Sequence, residues 1–498
     1  MEETKKKNNL RWWILGTVII GTFLGSLDQT IVNLALPKII TQFKLTVSSA
    51  GWIATAYILA NAVFVPIWGK LGDTIGRKKV YMLGFTVFII GSVLAGFAWN
   101  LESMLIFRII QAIGSSADYP TAMAIIAATF KEGKERSQAL GIWSSSFAAA
   151  MVLGPLIGGP LIDNIGWRSV FFINLPIGIV GILMAWHFIN ESRGEVKPKG
   201  FDWWGAITLG VALSSLILVL DKGFGWGWTS INSLICYATI FIFINIFIKI
   251  EKKTPEPIVD LGFFKIPAFV NVISNNFIIF MGMMGSIFLV PIFTQTFLGY
   301  NATESGFLFM PMAIFMVTSA AIGGSLSGKV KAKYMIFAST IIASLGLSLF
   351  SLLDPKSGPL AVIIPLCIMA TGMGMGMAQR TGVVASVVKS SEIGSASSVL
   401  ALARSIAGAF GIAVFSTILN NRIEHNILQI NNYSHFFGTG MTDLQTYIAL
   451  IITKADINAY HYVFITSSII VGLGAFTILT LKLKNEKMDT TSPKVFIE

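Results

Sequence analysis

Asp28, Arg108, Asp118 and Arg404 stand in the middle of long apolar runs, at a depth where a bare charge costs several kcal/mol. Side chains kept there despite that cost point to chemistry. A carboxyl group at such depth takes up or releases a proton, and a guanidinium in the same cavity tunes that exchange. Arg108 and Asp118 share one helix-sized segment, Arg108-Ile-Ile-Gln-Ala-Ile-Gly-Ser-Ser-Ala-Asp-Tyr-Pro120. At about 100° per residue, Gln111, Ser115 and Asp118 fall within about 80° of Arg108, so one polar stripe runs along a face that cannot meet lipid. Arg108 and Asp118 are nevertheless about 15 Å apart along the axis, too far to pair, so each needs other partners or water. Around Asp28, the residues Gly21, Gly25, Val32 and Ala35 share its helical face, leaving room for a neighbouring helix or for water. Asp28 and Asp118 are thus rival proton carriers, with a structural ion pair as the other reading of each.

The runs that must position these groups dominate the chain. Hydrophobic residues make up 54% and charged residues 12% of the 498, and mean hydropathy is +0.73, far from a soluble globular profile. Fourteen apolar runs are long enough to cross a bilayer, at about 12–36, 51–68, 80–99, 103–128, 138–161, 169–189, 203–220, 231–249, 267–298, 305–328, 334–353, 359–379, 393–419 and 460–481. The fold class is therefore an all-α polytopic membrane protein. Twenty-seven Lys and Arg residues fall on the side of the N-terminus and seven on the other, which puts both termini in the cytoplasm. The net charge of +11 arises from these short interhelical clusters, so topology accounts for it and a nucleic-acid partner does not. Asp28 interrupts the first run and no small-residue cleavage site follows, so that run is expected to be a retained helix. Cys236 and Cys367 lie alone in apolar runs, and neither a disulfide framework nor a metal site is indicated. With no Walker A sequence and no inserted soluble domain, no enzymatic activity and no ATP-driven pumping is expected, nor any cofactor beyond a proton gradient.

Residues 69–79 read Gly-Lys-Leu-Gly-Asp-Thr-Ile-Gly-Arg-Lys-Lys, a charged turn between the second and third runs. Gly69 and Gly76 permit tight turning, Asp73 is suited to accept from a helix N-terminus, and Arg77 favours the cytoplasmic face. The fifth run holds Gly154-Pro155-Leu-Ile-Gly158-Gly159-Pro, whose glycines allow close crossing and whose prolines leave carbonyls unpaired. The glycine–acid–glycine–basic order resembles the second-to-third-helix loop of the major facilitator superfamily. Leu27-Asp-Gln-Thr-Ile-Val-Asn33-Leu-Ala-Leu-Pro37 is similar to the first-helix signature of its fourteen-helix drug:proton antiporters, Arg108 with Gln111 and Gly114 matches its fourth-helix pattern, and 154–160 resembles its antiporter motif. Ala112 departs from the usual glycine. Residues 166–178, Leu298-Gly-Tyr300, 372–376 and Arg404-Ser-Ile-Ala-Gly408 with Gly411 are similar to the same subgroup.

The resemblance covers the chain to about residue 481. It implies a major facilitator fold with a six-helix bundle at 1–190, two inserted helices and linkers at 191–266, a second bundle at 267–484 and a cytoplasmic tail at 485–498. The partial echo of Gly69–Asp73 in Gly324-Ser-Leu-Ser-Gly328 fits such a duplication. It further implies export of amphipathic small molecules, multidrug efflux driven by proton antiport, from a bacterial plasma membrane among its lipids. Asp28, Asp118 and Arg108 would then couple protons. Asn33, Gln111, Gln295, Arg404, Met284 and Phe288 would line the substrate cavity, and Gly69, Asp73, Gly76, Arg77, Gly154, Pro155, Gly158 and Gly159 would gate it. Because no acid lies within a run of the second half, a strongly dicationic substrate is disfavoured. Export of an endogenous metabolite, lipid or peptide, and a non-transporting receptor or scaffold, stay open as alternatives. Residues 420–459 are expected to form one long external loop.

Overall fold

Apolar runs with few internal breakers satisfy every backbone group locally, so helix is the state available to them in hydrocarbon. A computed structural model describes residues 2–130, 134–192, 202–255, 257–326, 330–388, 393–433 and 441–479. The first unit consists of α1 (Glu2–Phe43), α2 (Val47–Ile75), α3 (Arg77–Gly96), α4 (Leu101–Ser115), α5 (Asp118–Thr129), α6 (Lys134–Asn164), α7 (Ser169–Phe172) and α8 (Asn174–Phe188). Two helices follow, α9 (Trp203–Trp226) and α10 (Ile231–Glu251). The last unit holds α11 (Pro267–Thr296), α12 (Ala302–Phe307), α13 (Met310–Ser325), α14 (Ala332–Leu349), α15 (Pro359–Val387), α16 (Ile393–Tyr433) and α17 (Met441–Phe476). Among the described residues, twelve helical stretches are long and apolar enough to cross a membrane. The other two expected crossings coincide with the α4–α5 pair and with α6, which are not among those twelve.

Helix ends carry local signals. Thr46 caps α2, Asn100 and Ser103 cap each other's backbone at the start of α4, and Asn301 and Glu304 do so at α12. α9 packs against both α2 and α16, and α10 packs on α9, so the inserted pair covers a seam between the two units. The tail at 485–498 and residues 193–201 lie outside the described residues.

The expected loop at 420–459 is mostly helix. α16 continues to Tyr433 and α17 already starts at Met441. Asn426 Nδ2 donates to the Ala455 carbonyl at 3.0 Å, and the Arg422 guanidinium lies 4.0 Å from the Tyr462 ring centre, so the two extensions pair as a helical hairpin. Asn-rich composition suggested a loop, and packing between the two extensions overrode it. His425 is exposed on the hairpin, and His435 falls outside the described residues.

Close helix crossings rely on glycine. A side chain at Gly91 would strike the Gln111 backbone, and one at Gly114 would strike the Phe88 backbone, so α3 and α4 touch main chain to main chain. The second unit repeats this between α14 and α15, where Gly346 faces the Met369 backbone and Gly372 faces the Ala343 backbone. This repetition is a fuller sign of duplication than the loop echo, of which Gly328 lies outside the described residues. Gly114→Val is expected to force α3 and α4 apart, whereas Gly16→Ala, where an added methyl meets nothing, should be neutral. Fluorescence-detected size exclusion of the two variants checks this, with loss of the monodisperse peak expected for Gly114→Val alone.

Candidate functional site

The tight α3–α4 crossing brings Asp28 of α1 against Arg108 of α4 inside the first unit. Arg108 Nη1 donates to Asp28 Oδ2 at 2.6 Å and to Gln111 Oε1 at 2.7 Å, and Gln111 Nε2 donates to Asp28 Oδ1 at 2.9 Å. Asn174 of α8 adds a hydrogen bond from Nδ2 to Asp28 Oδ1 at 3.1 Å and donates to Ser92 Oγ of α3, which in turn donates to the Phe171 carbonyl. The guanidinium lies 4.0 Å from the Tyr57 ring centre. Asp28 and Arg108 are each 1% exposed, so this is a fully desolvated ion pair braced by two amides. Five helices, α1, α2, α3, α4 and α8, contribute to it. Asn174, Ser92 and Tyr57 were not singled out from sequence, although an amide within the apolar run Phe-Phe-Ile-Asn174-Leu is a visible signal.

Asp118 occupies a separate pocket. Pro120 lacks an N–H and so cannot continue the ladder of α4, and the chain breaks at Ser116-Ala117 before restarting as α5 with Asp118 in its first turn. Trp68 Nε1 and Ser116 Oγ both donate to the Ile113 carbonyl near this break. Asp118 Oδ2 accepts from Thr22 Oγ1 at 2.6 Å, and that hydroxyl accepts from Trp143 Nε1 of α6 at 2.8 Å. Asp118 Oδ1 is buried without a hydrogen-bond partner. Gly21 makes the approach possible, since a side chain there would strike the Tyr81 hydroxyl and Asp118 Oδ1. The separation of Arg108 from Asp118 read from the helix repeat therefore resolves into two clusters, one with a cation and one without.

The second unit carries a fifth intramembrane charge that sequence reading placed in a loop. α15 runs on to Val387, which puts Arg380 inside it at 1% exposure. Its Nε donates to Asn275 Oδ1 at 2.9 Å and its Nη2 to Thr340 Oγ1 at 3.1 Å, all neutral partners. Arg404 of α16 is half-buried with its guanidinium 5.2 Å from the Phe280 ring centre. Gln295 donates to the Leu34 carbonyl across the two units at 3.0 Å and borders a cavity of about 410 Å³ with Lys38, Phe297, Tyr300, Asp456 and Tyr460. Phe288 is fully buried beside Gly51, and Met284, half-buried, packs against Gly408. Asn33 is half-buried on α1, and Gln111 belongs to the Asp28 cluster.

At the end of the molecule that carries the α1–α2 turn, the two units are latched. Gly154 and Gly158 rest on Thr30 and Ile31 of α1, while Gly159 faces the Thr303 backbone and Pro155 faces Gly306. Asp163, which sequence reading passed over, accepts from the backbone N–H groups of Ala302 and Thr303 and from the Thr303 hydroxyl at 2.7–3.1 Å. It thereby caps α12 from the other unit. At the opposite end Gly76 adopts φ +121°, where an L side chain is strained and would also strike the Glu191 carboxylate. Glu191 Oε1 accepts from the Lys78 N–H at 3.0 Å, Lys78 Nζ donates to the Trp186 carbonyl, and Arg77 Nη1 donates to the Ala124 carbonyl. Gly69 meets Pro120 of α5. The Asp73 side chain lies outside the described residues, and Glu191 is the acid seen at the start of α3.

The profile of the Major Facilitator Superfamily matches residues 18–412. The chain belongs to that superfamily. It is 35% identical over 417 residues to multidrug transporter protein MdtP of Bacillus subtilis, covering 84% of this chain and 76% of MdtP. To riboflavin transporter RibZ of Clostridioides difficile it is 30% identical, over 84% of this chain and 90% of RibZ. A bacterial homolog of the human lysosomal transporter Spinster, solved in an inward-facing and occupied conformation, shares the fold with a TM-score of 0.69 at 18% identity, over 94% of this chain and 96% of that one. This major facilitator protein is thus a multi-pass membrane protein with multidrug transporters among its relatives.

Two outcomes follow from the clusters in this superfamily member. Asp28→Asn leaves Arg108 buried and unpaired, a change on the scale of about 3–5 kcal/mol, and Asp28→Asn/Arg108→Gln should recover most of the lost thermal stability in detergent. Asp163→Ala removes the cap on α12 and should open the latched end. Faster maleimide labelling of Gln295→Cys, in a background with Cys236 and Cys367 changed to Ser, reads that opening.

Proposed function

We propose that this major facilitator protein is a proton-coupled antiporter that exports amphipathic small molecules across a bacterial plasma membrane by alternating access, with both termini cytoplasmic. The observation that carries the reading is the contrast between the two acid pockets. The Asp28 pocket is electrically neutral with both Asp28 and Arg108 charged, so it gains nothing by taking a proton. The Asp118 pocket holds a carboxylate with one oxygen unpartnered and only a hydroxyl as donor, and a proton makes it neutral. Of the two rivals, Asp118 is therefore the proton carrier in our reading, and Asp28–Arg108 is the fixed brace beside it.

The latch supports the cycle. One continuous apolar cluster spans both units and includes Leu34, Ile39, Phe293 and Ala302 near the latched end, while separate smaller clusters lie elsewhere. With the N-terminus cytoplasmic, the latched end would be the external one, and the Asp163–α12 contacts would hold it together in the inward-facing stage of the cycle. Protons reaching Asp118 from outside would favour substrate release there, and their loss inward would reset the cycle. The relatedness to a riboflavin transporter keeps a second reading in view, export of an endogenous metabolite with drugs as incidental cargo.

Reconstitution separates these readings. Proteoliposomes carrying an imposed pH gradient should concentrate rhodamine 123 or another amphipathic dye only while the gradient lasts. Asp118→Asn should reduce uphill accumulation to the level of protein-free liposomes while downhill exchange survives. A variant that still pumps uphill removes Asp118 from the role.

A further inference from the structure

The two units place an arginine on the equivalent helix, Arg108 on the fourth crossing of the first and Arg380 on the fourth of the second, and each meets a first-crossing residue, Asp28 or Asn275, that is itself bonded to the sixth. Their surroundings differ in one decisive way. Arg108 meets the carboxylate of Asp28, whereas Arg380 meets the amide of Asn275, the hydroxyl of Thr340 and, at 3.5 Å, that of Ser339. Asn275 is itself held by donating to Thr340 Oγ1 and the Gly474 carbonyl, so the position is built and rigid. A guanidinium keeps its charge at any accessible pH, so deprotonation cannot relieve the burial.

A second cation lies nearby. Asn276 follows Asn275, and Phe280 stands one turn further along the same face of α11, with the Arg404 guanidinium 5.2 Å from its ring centre. Arg380 binds Asn275, the residue beside Asn276, so both guanidiniums approach the same stretch of α11. Arg404 Nε is buried without a partner, and so are both side-chain polar atoms of Asn276, a residue 1% exposed. Among the described residues no carboxylate lies within ion-pairing distance of either arginine. Arg404 itself is half-buried, so its guanidinium is partly accessible, and Tyr119 of the first unit is 47% exposed.

We infer that Arg380, Arg404 and Asn276 form a receptor for an anionic group, a carboxylate or phosphate ester, on an amphipathic molecule that enters between the two units. The anion supplies the missing counter-charge: Arg404 and the Asn276 amide are the groups with unused donors, Arg380 adds the field from behind, and the Phe280 ring holds the Arg404 guanidinium in place. The inference names the substrate class of the transporter proposed above and rests on that reading only for the step of movement. Binding is independent of it. The same chemistry is offered by a solute carboxylate and by the phosphate of a lipid headgroup.

The test uses the purified full chain in phosphatidylcholine nanodiscs, with fluorescence anisotropy of two xanthene dyes of similar size, anionic fluorescein and cationic rhodamine 123. Fluorescein should bind more tightly than rhodamine 123. Arg404→Gln should weaken fluorescein by at least about tenfold, Arg404→Lys by less, and rhodamine 123 should hold or tighten in both. Asn276→Leu, which keeps both cations, should weaken fluorescein alone, and each variant counts only if its melting temperature matches the parent. No preference for fluorescein in the parent chain, an unchanged fluorescein affinity in Arg404→Gln, or parallel loss of both dyes overturns the receptor. Repeating the titration in phosphatidylglycerol nanodiscs distinguishes the sources: weaker fluorescein binding marks the headgroup as an occupant, and unchanged binding marks a solute. If fluorescein binds as expected but no gradient-driven transport occurs, the antiporter reading fails and the receptor stands; rhodamine 123 pumped uphill while fluorescein affinity is unchanged in Arg404→Gln gives the reverse.

Discussion

A charge taken into hydrocarbon must be answered by a partner, and the arrangement of this protein follows from how each of its buried charges is answered. Asp28 and Arg108 answer each other, and they do so only because α1, α4 and α8 meet within one hydrogen-bond length of the pair, with Ser92 of α3 holding Asn174 behind them. The pair consumes two amides, Gln111 and Asn174, to fill the remaining lone pairs. Such a pair contributes little net stability compared with an apolar core, yet it fixes the register of the three helices that bear it, since a slip of one residue would leave two ions uncompensated.

The other charges are answered less completely, and that incompleteness is where function resides. Asp118 is held by a hydroxyl that itself accepts from Trp143, and its second oxygen is left over. Arg380 and Arg404 are met by amides, hydroxyls and a ring. Among the described residues, the first unit thus presents Asp118 with no cation on its carboxylate, and the second presents Arg380 and Arg404 with no carboxylate at ion-pairing distance. Moving the two units relative to each other changes what these groups face, which gives a physical route from ligand and proton to shape.

Glycine sets how the units can move. Where main chain touches main chain, as between Gly91 and Gln111 or Gly372 and Ala343, the helices within a unit are locked as rigid pairs. Where glycine faces the other unit, as Gly159 does toward Thr303, the same closeness forms a latch that depends on a few exposed hydrogen bonds accepted by Asp163. Contacts of the first kind bury apolar surface on both sides, while those of the second can be exchanged for water. Closure at that end is therefore reversible in a way the inside of each unit is not.

From the amino-acid order alone, the helical class, the apolar runs, the superfamily and the depth of Asp28, Arg108, Asp118 and Arg404 were all legible, because hydropathy and the 3.6-residue repeat act over a few neighbouring residues. The same local rules separated Arg108 from Asp118 by helix rise, and they marked 154–160 as a crossing surface. They also erred where neighbours in space prevail: 420–459 reads as a loop until α16 and α17 are seen to pair, and Arg380 reads as a loop charge until α15 is seen to continue past it. Which acid owns a cation, which arginine lacks one, and that Glu191 and Asp163 cap helices far away in sequence were decided by tertiary structure alone. Charge pairing across a hundred residues depends on which helices lie side by side, and no pattern within a single run encodes that.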